Sequence, residues 1–174
     1  MSELRTNRII PRDGLPSGSS GGIIQVKQAV KTDSSFNTSS TSFTDITGLS
    51  VSITPTRADS KILVMMHVNL GHTNYVSGFL RLMRDSTAIA VGDADGSTVQ
   101  ATFDMNNAGA SNRGDSYVGQ ILDSPSTTSS VTYKLQVRHE NGSGNININR
   151  INSTDDSAVA GRYSSTITAM EVSG

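Results

Sequence analysis

VTYKLQVR, residues 131–138, carries apolar side chains at Val131, Tyr133, Leu135 and Val137 and polar ones at Thr132, Lys134, Gln136 and Arg138. Successive side chains on a β-strand point to opposite faces, so this period of two predicts a strand with one face in a core and the other in water. The same reading extends outward. Leu49, Val51 and Ile53 alternate with Ser50, Ser52 and Thr54, and Ile24, Val26 and Val30 with Gln25, Lys27 and Ala29. The segments 78–84, 87–91, 99–103, 116–123 and 163–172 are further strand candidates, and 145–151 (NININRI) is a weaker one. KILVMMHVN (61–69) is apolar on both faces and predicts a central strand covered on both sides, by packed layers of its own chain or by a neighbouring subunit. Turns are expected at Thr47-Gly48, Pro55, Asp95-Gly96, Asn112 to Asp115 and Asn141-Gly142. No stretch has a capped 3.6-residue stripe. The expected fold is all-β: an antiparallel β-sandwich or jelly-roll-like domain over residues 23–174.

Residues 1–22 differ in texture. Pro11, Asp13-Gly14, Pro16 and the run SGSSGG prevent a long helix or strand. The stretch reads as an extended N-terminal arm with a Gly/Ser joint, anchored by Leu4, Ile9 and Ile10 and made basic by Arg5, Arg8 and Arg12. Those apolar residues have no core of their own, so the arm is expected to pack on another chain.

Composition removes several function classes. Of 174 residues, 57 are Ser, Thr or Asn, which suits turns and the polar faces of strands. No cysteine is present, which excludes disulfides, thiolate zinc sites and a cysteine nucleophile. A net charge of −1 argues against nucleic acid as a partner, and no apolar run is long enough for membrane insertion. With aromatic residues at 5%, the core must rely on Val, Ile, Leu and Met. Added burial between subunits would compensate, so an oligomer is expected, with the second face of strand 61–69 as one place for a neighbouring subunit.

Motifs for chemistry are weak. His67 and His72 are five apart, an odd spacing that suits one strand face badly, and no metal site is expected. Asp93-Ala94-Asp95-Gly96 resembles the start of a calcium loop but lacks the Glu at position twelve and the flanking helices, so it is read as a turn. SGSSGG lacks the lysine and helix of a phosphate loop, and no G-x-S-x-G occurs. The chain is read as non-enzymatic, without cofactors. Arg113-Gly114-Asp115 is taken as a chance match to an integrin-type tripeptide. Tyr75, Tyr117 and Tyr163, read as exposed, are candidate glycan contacts, because aromatic faces suit polyols.

Two blocks carry a resemblance. LRTNRIIPRDGLPSGSSGGIIQV, with its arm at Leu4 to Gly14, and FTDITGLSVSITPTRADSKILV, with its core at Thr47 to Val64, cover roughly the first third of the chain. They resemble small tail-fibre-like virion structural proteins of marine tailed phages, of the cyanophage type. Both blocks are scaffold motifs and carry no catalytic residue. The resemblance implies a virion structural protein assembled in the host cytoplasm, a homotrimer with its β-sandwich displayed outward. Leu4, Arg5, Arg8, Ile9, Ile10 and Arg12 would then anchor the arm to another virion protein or interlock the subunits. Two roles follow: a tail fibre or tail-associated adhesin for host attachment, meeting host surface polysaccharide, or a capsid decoration (cement) protein whose arm binds the shell. The direct passage from a 22-residue arm into a domain suits the second role.

Overall fold

The computed structural model describes residues 22–72, 77–105, 113–151 and 160–173. These residues form eleven strands and no helix. Two antiparallel sheets pack face to face as a β-sandwich. The six-stranded sheet contains β1 (Ile23–Lys31), β2 (Asn37–Thr38), β4 (Lys61–His72), β8 (Arg113–Asp123), β10 (Ile146–Ile148) and β11 (Ser165–Val172). The five-stranded sheet contains β3 (Thr44–Ile53), β5 (Gly78–Arg84), β6 (Thr87–Ile89), β7 (Phe103–Met105) and β9 (Val131–His139).

β4 is central, as its apolar composition predicts. β11 pairs with residues 61–67 along one edge and β10 with residues 70–72 on the same edge, while β8 fills the other edge from Ile62 to His72. Its inward side chains, Ile62, Val64, Met66, Val68 and Leu70, meet Leu80, Leu82, Tyr133, Leu135 and Val137 from the other sheet. Each such aliphatic side chain contributes about 1.5–3 kcal/mol on leaving water. Tyr133 is the one fully buried aromatic among the described residues, so aliphatic packing carries the core.

Several local expectations are corrected. Thr47-Gly48 is a bulge inside β3 rather than a turn: Asp45 faces Gln136, yet the next paired residue, Ser50, faces Lys134. Ile46 and Leu49, an odd spacing apart, are thereby both buried. Gly48 makes this possible at φ 88°, in the left-handed region where a Cβ is disfavoured. Residues 113–115 are not a turn either; they open β8, paired with Leu70, Gly71 and His72. Of residues 99–103 only Phe103 is strand, and β6 ends at Ile89, before Ala90 at φ 54°. The weak candidate 145–151 holds β10, whose Ile146 and Ile148 are core residues. β2, too short to show a period, had no sequence signal.

β1 keeps its predicted period but reverses its face. Val26, Gln28 and Val30 lie opposite Met170, Thr168 and Thr166 and look outward, while Gln25, Ala29 and Lys31 look toward the other sheet. The inward positions serve polar partners. Gln25 Nε2 donates to Glu171 at 2.6 Å, and Lys31 Nζ reaches Asp33 at 2.7 Å. A buried polar group needs such bonds, and they decide the strand's orientation.

Candidate subunit interface

The outward face of the six-stranded sheet is built in rows that the register defines. One row runs Val26, Met170, Leu63, Leu122 across β1, β11, β4 and β8. The next is Gln28, Thr168, Met65, Gln120, and the third is Val30, Thr166, His67, Val118. Six of the seven large hydrophobic side chains exposed among the described residues belong to this face: Ile23, Val26, Val30, Met65, Val118 and Leu122, each 40–68% exposed. A groove of about 610 Å³ crosses it, lined by Val26, Met65, His67, Val118 and Met170.

Its electrostatics are equally distinctive. His67 is the only titratable group in the three rows. Lys61 stands at the margin, where its Nζ donates to Ser124 Oγ at 2.8 Å. The outward face of the five-stranded sheet is the opposite. There Lys134 pairs with Asp45 at 2.8 Å, Gln136 bridges Asp45 and Arg81, and the Arg81 guanidinium lies 3.8 Å above the centre of the Phe43 ring. Contact with Lys134 first, and then Gln136, lowers the Asp45 carboxyl below its usual range. One sheet is finished for water and the other is not. Clustering of exposed aliphatic side chains on one face, rather than their single scatter over the surface, marks a contact surface.

Absence of charge also suits a copy of itself as the occupant. Identical faces meeting around a symmetry axis bring like charges together, and these rows hold no permanent charge to repel.

The residues singled out from sequence fall as follows. Leu4, Arg5, Arg8, Ile9, Ile10, Arg12 and Tyr75 lie outside the described residues. Tyr117 is half-buried, not exposed. It sits on the inward side of β8, its ring centre 5.7 Å from that of Phe103. Burial first, and then Asp115 and Asp104, pushes its hydroxyl up to about 12. Tyr163 is 39% exposed and lies beside Gly114, on the outward side of the sheet. The two tyrosines therefore form no common surface.

The histidines are also separated. His67 faces outward, whereas His72 faces inward with Nε2 3.5 Å from the Asp115 carboxylate. His139, in the other sheet, accepts from the backbone N–H groups of Asn141 and Gly142 through Nδ1, and burial lowers its pKa. Asp95-Gly96 forms a turn in which Thr98 donates to the Asp95 carbonyl.

Sequence reasoning missed the apolar rows because it assigned Val26 and Val30 to the core. The available signal was SYVGQILD (116–123), in which Val118 and Leu122 alternate with Tyr117 and Ile121, so that both faces carry apolar residues. No family model matches the chain, and no curated protein matches it significantly.

Proposed function

We propose that this chain is a non-enzymatic structural protein of a phage virion, a homotrimeric tail fibre or tail-associated adhesin that displays its β-sandwich toward the host surface. The observation that carries the reading is the apolar face of β1, β11, β4 and β8, whose three rows hold no permanent charge. It supplies burial between subunits that a core short of aromatics lacks. With copies joined there, the charged face of the other sheet turns outward. Repetition of that face strengthens individually weak contacts with surface polysaccharide through avidity. Residues 1–22, with Leu4, Ile9, Ile10 and three arginines, supply the attachment to a second virion protein.

Capsid decoration is the second reading, favoured by the sequence passing directly from residues 1–22 into β1 with no repeat between them. Two measurements test the proposal. Light scattering on the purified chain is expected to give three copies per particle; a monomer at micromolar concentration defeats the trimer. Quantitative mass spectrometry of virions is expected to count it with the tail components. A number comparable to the major capsid protein assigns it to the shell instead.

A further inference from the structure

We propose that His67 makes self-association through the apolar face pH-dependent: protonation of its ring in acid separates the copies. This rests on the subunit-interface reading above and adds its regulation. His67 is half-buried near the middle of the face, directly between Thr166 on β11 and Val118 on β8. Its neighbours along β4 on that side are Met65 and Asn69, and the Asn69 amide oxygen already accepts from Ser116 Oγ. β11 presents Thr166, Thr168 and Met170 to this side, β1 presents Val26, Gln28 and Val30, and β8 presents Ser116, Val118, Gln120 and Leu122. None of these is titratable. Lys61 lies six residues along β4, and its sign matches an imidazolium rather than opposing it. At the other end of the face, where residues 150–151 cross Gly71 and Tyr163 lies beside Gly114, the titratable residues are Arg150, Arg162 and Tyr163, none of them a carboxylate. Among the described residues of the face, then, no carboxylate stands ready to compensate a charged ring.

The chemistry follows from that setting. A neutral imidazole can enter an interface of Thr, Gln and Val side chains, because one ring nitrogen donates and the other accepts. An imidazolium placed there is a desolvated cation without a counterion, which is strongly unfavourable. An interface that excludes the imidazolium accepts only the neutral ring, so acid pulls the equilibrium toward separation. Each pH unit below the ordinary histidine value of about 6.5 weakens association by up to a factor of about ten per copy.

Sedimentation and light scattering of the full chain at pH 8.0 and pH 5.0 test this, with far-UV circular dichroism monitoring the fold. The wild type is expected to be oligomeric at pH 8.0 and at least tenfold weaker in association at pH 5.0. His67→Gln, which stays neutral, is expected to remain assembled at both. His67→Arg is expected to be monomeric at both. Wild-type association unchanged at pH 5.0 overturns the proposal. So does a His67→Gln chain that separates in acid like the wild type, because the proton then acts elsewhere, as at His72 or His139. A wild-type monomer at pH 8.0 removes the interface itself and the switch with it.

Discussion

The hydroxyl of Tyr133, on β9 of the five-stranded sheet, donates to the carboxylate of Asp123, on β8 of the six-stranded sheet, at 2.7 Å. Arg84 on β5 holds the same carboxylate at 2.8 Å, so one acid joins the two layers beside the core. Burial first, and then the Asp123 bond, pushes the Tyr133 hydroxyl far above its ordinary value, so the proton stays on the phenol. Tyr133→Phe keeps the ring and deletes the bond. It is expected to cost about 1–2 kcal/mol in urea unfolding, since Arg84 still satisfies Asp123. A variant as stable as the wild type would mean that the latch adds nothing.

Glu171 is a fully buried carboxylate that accepts from Gln25 Nε2 and from the Thr56 backbone N–H and hydroxyl, at 2.6–2.7 Å. Burial alone raises such a group, but the bonds from Gln25 and Thr56 prevail and the net shift is downward from 4.5. The unfolded chain therefore takes up the proton first. Glu171 contributes stability above its ordinary value and loses it as pH falls through the lowered folded value. Glu171→Gln is expected to lower the melting temperature at pH 7 and to flatten its decline below pH 4.5. An acid limb as steep as that of the wild type would place the titrating groups elsewhere.

The apolar face can be changed without touching the core. Val118→Asp combined with Leu122→Asp is expected to give a monomer in light scattering that keeps the far-UV circular dichroism of the fold, because both side chains are mostly exposed in the single chain. Arg81→Ala, on the opposite sheet, is expected to leave the oligomer intact. Assembly surviving the double substitution would move the interface away from β8.

Two glycines make contrasting predictions. A Cβ at Gly71 would stand 2.0 Å from the Arg150 carbonyl oxygen and 2.6 Å from Ile151 Cα, both backbone. Gly71→Ala is expected to cost about 3 kcal/mol or more, because chain 150–151 must lift off β4. Gly92 has nothing within 4 Å of such a position, and Gly92→Ala is expected to change stability by no more than about 0.5 kcal/mol. Equal thermal shifts for the two would contradict the close passage of residues 150–151 over β4.

Where one set of alternating residues was plainly apolar and the other plainly charged or amidic, the sequence was legible down to individual side chains. β9 is the clearest case, with Val131, Tyr133, Leu135 and Val137 all buried. Legibility failed where a residue's role depends on a distant partner. Thr47-Gly48 has a turn's composition, yet β9 holds the chain on either side of it and leaves a bulge. Asn149 sits at φ 61° because its side chain bonds the Lys31 and Asp33 carbonyls and accepts from Ser165, contacts up to 118 residues apart. The candidate interface was half legible. Strand 61–69 announced two apolar faces, but Val26, Val30, Val118 and Leu122 could not be sorted into inside and outside.

By itself the sequence determined the all-β class and the two-residue period. It also determined the central place of 61–69 and the distinct character of residues 1–22, because these follow from local geometry and composition. Only the tertiary structure decided which side of each strand is core. Alternation assigns residues to two sets but does not say which set faces in when both contain apolar side chains. Pairing with β4 and β11 settles that choice: Gln25 and Lys31 turn inward to their polar partners, and the valines of β1 and β8 line the outer face with Met65 and His67.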